Sequence, residues 1–195
     1  MNQTIDEISL SLLEEAIHMW HRDGAILTTS FAIGHSRSVF AQPINESGFD
    51  LSDKNRIHLD GMLASLVGAV VIGRIDESFI AELPVTERAL AKGELAKMAE
   101  TNPDVKTALV VQTLDVTTNH LILVMGILGI DDEGEACWKF ASYNDPEGPI
   151  GEGLEKSAEI AESIVIPLTN AQLKEELSSY GWQVADSDDI LEEEQ

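Results

Sequence analysis

Asp76 and Glu77 stand side by side where an apolar run that begins at Ala69 turns polar, with Arg74 two residues before Asp76. A carboxylate at a strand end can bind a cation or orient a water for attack, so these two residues are the catalytic candidates, for a metal-dependent hydrolase. The competing reading is a strand emerging into a polar turn, with Arg74 neutralising Asp76 on the same face and Glu77 solvated. A second set, Glu14, His18 and His21, falls at i, i+4 and i+7 on a helical stretch. A carboxylate and two imidazoles converging outside a helix suit zinc or iron, which makes these the metal candidates. The same three residues also fit the solvated face of an amphipathic helix, and no second element supplies an activating group.

Other patterns fail on their chemistry. Gly148-Pro149-Ile150-Gly151-Glu152-Gly153 has the glycines of a phosphate cradle, but Glu152 and Glu155 occupy the helix N-terminus where a phosphate would bind. Asp131-Asp132-Glu133-Gly134 is turn chemistry without the alternating ligand spacing of a calcium loop. Cys137 is the one cysteine, which excludes an intramolecular disulfide, and no nucleophile elbow or Cys-His signature surrounds it. Trp20, Trp138 and Trp182 are far apart in the chain and read as packing anchors. No cofactor is implied.

These residues need elements to hold them. Thr4 and Glu7 have capping-box spacing, and Gly24 can close the helix between them, whose apolar face is Ile8, Leu12, Leu13, Ala16, Met19 and Trp20. Strands are expected at 25–33 and 38–44, joined as a hairpin. Ser52 caps a second helix to about Val67, with Leu59, Met62, Leu63 and Leu66 inward. A buried strand then runs from Ala69 towards Phe79 and Ile80. Residues 84–101 fit either one helix or a loop and a shorter helix. Strands at 107–114, 121–130 and 135–143 form a meander, and 121–130, apolar nearly throughout, reads as a central strand covered on both faces. Helices are expected at 152–163 and after the Thr169/Gln172 cap. The order of elements is compatible with a cytidine-deaminase-like or JAB-like scaffold, but the deaminase His-x-Glu and Pro-Cys-x-x-Cys zinc ligands are absent.

Charge constrains partners more than any motif. The chain has 35 Asp and Glu against 12 Lys and Arg, a net charge of -23 in 195 residues. From Asp145 to the end there are 14 carboxylates and two lysines, Lys156 and Lys174. Such a field repels phosphate backbones and anionic lipid, and attracts basic protein surfaces. Nucleic acid and membrane are therefore not expected as partners. The longest apolar run, 121–130, is about half a membrane span. With no basic-then-apolar leader, a cytoplasmic protein is expected.

One resemblance bears on the fold. Glu77, Phe79, the Asn102-Pro103-Asp104 turn and Leu109-Val110-Val111 resemble a group of uncharacterised bacterial proteins. In these an apolar strand ends in Glu with an aromatic two residues on, and an Asn/His-Pro-Asp turn precedes another apolar strand. Phe79 stands where that group has Trp, and Val105 and Thr107 stand where it has Arg and Glu. The resemblance implies a fold and no activity.

The expected fold is α+β: a mixed, mainly antiparallel sheet of five or six strands with packed helices. A core over 1–145, an acidic helical segment over 146–185 and a disordered acidic tail over 186–195 make up the expected organisation. The expected function is a non-catalytic binding protein engaging a basic protein partner. The alternatives are the hydrolase above and a structural subunit that self-associates through its sheet edge or first helix.

Overall fold

The computed structural model describes residues 4–43, 53–81, 105–145, 149–164, 168–179 and 181–186. The N-terminal helix α1 (Ile5–Asp23) has the capping box expected of Thr4 and Glu7, and Gly24 closes it in the left-handed conformation. Strands β1 (Thr29–Ile33) and β2 (Ser38–Pro43) form the hairpin, and α2 (Asp53–Val67) leads into β3 (Val71–Ala81). The meander follows as β4 (Val105–Asp115), β5 (His120–Ile130) and β6 (Ala136–Asn144). Helices α3 (Pro149–Ser163) and α4 (Asn170–Ser179) precede a final strand, β7 (Trp182–Asp186).

The strands make one seven-stranded sheet in the order β6-β5-β4-β3-β1-β2-β7. Every neighbouring pair is antiparallel, so the sheet is larger than the five or six strands expected and is not mixed. The additional strand is β7, whose residues pair with β2 from Val39↔Asp186 to Pro43↔Trp182. Asp186, expected in the tail, therefore ends a strand; residues 187–195 lie outside the described ones, as do 84–101 and the 102–104 turn. The strand at 121–130 is not central. It lies next to the edge, buried over Leu121–Val124 and opening to solvent at Ile130.

Alternation along the strands sends side chains to the two faces of the sheet, each with a core of its own, and a smaller cluster gathers Ala108, Val110 and Leu123. On one face α1 packs Ile8, Leu13 and Ala16 against Phe31, Ile75, Leu109, Val111, Ile122 and Val124. The Ser9 hydroxyl meets that of Thr113 at 2.8 Å, tying α1 to β4. On the other face α2, α3 and α4 contribute Leu59, Leu63, Leu154, Leu173 and Leu177 to a cluster with Ile72, Leu114 and Trp182. The acidic C-terminal helices are thus fixed to the sheet by their inward faces. Helices α2 and α3 cross closely because Gly61 has no side chain: a β-carbon there would lie 2.6 Å from Cγ2 of Ile160.

A charged layer lies within this second core. Arg74 of β3 donates from Nε to Oδ2 of Asp60 on α2 at 2.6 Å, and the two side chains are 9% and 1% exposed. Gly153 of α3 backs onto the guanidinium, with room for a β-carbon only at 3.2 Å from Nη1. Helix α2, strand β3 and helix α3 therefore meet at one buried ion pair. Removing one partner leaves the other charge buried alone, so Asp60→Ala should lower stability by about 3–5 kcal/mol. The pair Asp60→Leu with Arg74→Met should recover most of that loss, because an apolar pair of similar volume needs no desolvation. Urea denaturation of the three variants measures both; an Asp60→Ala loss below about 1 kcal/mol, the size of a surface pair, would refute this role.

Asp145 anchors the far end of the β5–β6 hairpin in a left-handed backbone conformation (φ 43°). Its carboxylate accepts from the Leu121 amide at 2.9 Å and faces Nδ1 of His120 at 3.2 Å. The Leu121 amide, with His120 beyond it, holds this carboxyl below its ordinary range. A depressed folded value means that the ionised form is the stabilising one. Its contribution is complete above the unfolded carboxylate range, near pH 4, and is lost as pH falls through the lower folded value. Asp145→Asn should therefore destabilise the hairpin at neutral pH, and the difference from the native chain should vanish in acid. Melting temperatures measured across that window check the sign.

Candidate functional site

The two carboxylates expected at a strand end lie instead in the middle of β3, which runs on to Ala81 paired with β4; they are adjacent in sequence and on opposite faces of the sheet. Alternation on β3 sends Asp76 to the side of α2 and α3, and Glu77 to the side of α1. The two do not converge on one site.

Asp76 is not neutralised by Arg74, which is committed to Asp60. Its partner is Arg56 of α2, whose Nη1 reaches both carboxylate oxygens at 2.8 and 3.0 Å. The same guanidinium donates from Nη2 to the Thr29 carbonyl at 3.2 Å and from Nε to the Ser30 hydroxyl at 3.3 Å. Thr28 completes the set with a hydroxyl donated to Asp76 at 3.1 Å. Arg56 thus links α2 to β1 and β3. It lies one turn before Asp60 on α2, so the helix sets two opposite charges against the complementary Asp76 and Arg74 of the strand. Asp60 Oδ1, Arg74 Nη2 and Gln112 Oε1 are buried without a hydrogen-bond partner.

Glu77 is half-buried, not solvated as the bland reading had it. Its Oε1 accepts from the Trp20 indole at 3.4 Å and its Oε2 from the Ile26 amide at 3.2 Å. It therefore fixes the end of α1, and the chain leaving it, against β3. Trp20 is edge-on to Trp138 of β6, with ring centroids 5.3 Å apart. Trp138 donates its indole N–H to Nε2 of His21 at 3.0 Å.

Of the expected metal set, one member is engaged elsewhere. Glu14 and His18 are exposed, while His21 turns its Nε2 to Trp138. Among the described residues no three His, Cys, Asp or Glu side chains gather in a way that could hold a metal ion. No described helix is long and apolar enough to cross a membrane.

The outer surface of α3 and α4 is open to solvent and acidic. Glu152, Glu155, Glu159 and Glu162 are exposed on α3, as are Glu175 and Glu176 on α4. The α3 lysine, Lys156, is 3.5 Å from Glu152 one turn away. Comparison of the chain with protein-family models, with characterised proteins and with solved structures finds no match in any of the three.

The partners of Glu77 set a test of its role. Glutamine keeps one acceptor oxygen but presents an amide N–H₂ to one of two donors. Glu77→Gln should lower stability by about 1 kcal/mol, the scale of one net hydrogen bond, and alter the fluorescence of Trp20. A stabilised variant would instead mark Glu77 as a group held in place against its own solvation.

Proposed function

We propose that this chain is a non-catalytic binding protein that engages a basic protein surface through the outer face of its C-terminal helices. The observation that carries this reading is the two-sided build of α3 and α4. Leu154, Ser157, Leu173 and Leu177 are sunk in the core, while six glutamates point outward from the same helices. Carboxylates on elements fixed in this way form a surface of set shape, and a set shape can select among basic partners as a loose acidic segment cannot. The uses found for Asp76 and Glu77 support the same reading. Both are spent on holding helices to the sheet, on opposite faces, and so do not act together as an acid-base pair.

Nucleic acid is not a partner on this reading, because a surface so poor in Lys and Arg gains nothing from counterion release. Calorimetry with a folded, lysine- and arginine-rich protein tests the proposal. Binding should weaken steeply with salt and fall by at least about tenfold when Glu155, Glu159 and Glu162 are changed together to Gln, roughly 1.4 kcal/mol. The melting temperature should hold, as those side chains are exposed. Equal binding by an isolated peptide of residues 186–195 would refute a role for the helical surface.

A further inference from the structure

β6 closes one side of the sheet, and its strand neighbour is β5. The ends of the hairpin fix which of its backbone groups are already used. The Asp131 amide donates to the Glu135 carbonyl at 2.9 Å, and the Asp145 amide to the Leu121 carbonyl at 2.8 Å. Between those points the strands pair residue for residue without a bulge. Hydrogen-bonded and non-hydrogen-bonded pairs alternate along such a ladder. Cys137, Lys139, Ala141 and Tyr143 therefore turn their amides and carbonyls to β5. Ala136, Trp138, Phe140, Ser142 and Asn144 turn theirs outward.

Natural sheets protect such an edge by keeping it short, charging it, or breaking it with proline or a bulge. The opposite edge follows this rule: β7 has five residues and ends at Asp186, and the sequence after it is dense in carboxylates. β6 departs from it. It has nine residues, no proline, and one charged side chain, Lys139. Its apolar side chains are also open to solvent, Phe140 at 62% and Tyr143 at 49%, with Ile130 at the end of β5 at 70%.

The occupant follows from charge and register together. Two copies of a chain with a net charge of -23 repel, and they can approach most closely where carboxylates are absent. β6 is such a place. Its outward-facing set is also symmetric about its own centre: a two-fold axis at Phe140 sets Ala136 opposite Asn144 and Trp138 opposite Ser142, and Phe140 opposite itself. Every one of these pairs consists of outward-facing residues, so each can exchange two backbone hydrogen bonds. We propose that β6 pairs antiparallel with β6 of a second copy about a two-fold axis at Phe140, extending one sheet through both molecules. The two Phe140 rings meet on the α1 side of the seam, and each Lys139 lies beside Ala141 of the other copy. Glu135 faces Asp145 of the second copy at each end, so added salt favours association.

Sedimentation equilibrium of the full chain in about 1 M salt, where the screening length is about 3 Å, should give a monomer–dimer equilibrium that shifts to monomer at low salt. Ser142→Pro removes an outward N–H while leaving the bonds to β5 intact, and should abolish the dimer with an unchanged circular dichroism spectrum. Phe140→Lys should do the same by removing the apolar ring contact at the axis, and serves if the proline variant does not fold. Amide exchange adds a separate readout. The Trp138, Phe140 and Ser142 amides should become protected as concentration rises, while Lys139 and Ala141 are protected at every concentration. A chain that stays monomeric in high salt, or a dimer that survives both substitutions, would overturn the proposal.

Discussion

The ion pair between Arg74 and Asp60 sets the geometry of one whole side of this molecule. A guanidinium buried between the sheet and α2 must be met by a carboxylate, because an uncompensated buried charge costs several kcal/mol. Only one rotation and one axial position of α2 bring Asp60 to 2.6 Å from Arg74. The same placement puts Arg56 against Asp76, one turn earlier on the helix and two residues later on the strand. α3 is then fixed in turn, since Gly153 must lie over the guanidinium and Gly61 of α2 must admit Ile160. Hydrophobic burial supplies most of the adhesion but is tolerant of sliding. The charges select the register.

This arrangement also decides what the adjacent acids of β3 can do. Adjacent residues of a strand face opposite ways, so Asp76 and Glu77 serve two different helical layers: α2 through Arg56, and α1 through Trp20 and the Ile26 amide. Each stitches one layer to the same strand. A pair that looks in sequence like catalytic machinery is two structural bonds made back to back.

Much of this fold was legible in the chain. The α1 capping box, the hairpin, α2 and the meander follow from local capping, alternation and breaker residues, which act within a few positions. The polar clamp was not, because its members come from three segments and become partners only after folding. A signal was present: Arg56 and Asp60 fall on the same stripe of α2 as Leu59 and Leu63, where charges on an apolar face imply complementary charges opposite. β7 was hidden by its length, although Trp182 and Val184 alternate with Gln183 and Ala185 as a half-buried strand should. The position of 121–130 was misjudged because apolar content reports burial along the sheet normal and says nothing about which strand lies beside it. The Trp20–Trp138–His21 cluster joins positions 117 residues apart across α1 and β6, a distance that spacing arguments do not span.

Charge is partitioned in the same way as the hydrophobic surface. Inside, each described cation is matched: Arg74 by Asp60, and Arg56 by Asp76. The large excess of carboxylates is thereby pushed to the exterior, where it keeps copies of the chain apart in most orientations. Its distribution there is uneven, dense over α3 and α4 and nearly absent along β6. On the readings proposed above, the acidic helical layer suits a basic surface met through salt-sensitive contacts, and the uncharged strand edge suits a backbone met through hydrogen bonds. The two lie at separate places on one sheet, so a partner at one would not block the other. With repulsion concentrated elsewhere, the edge would be left to a strand whose outward groups match its own in register.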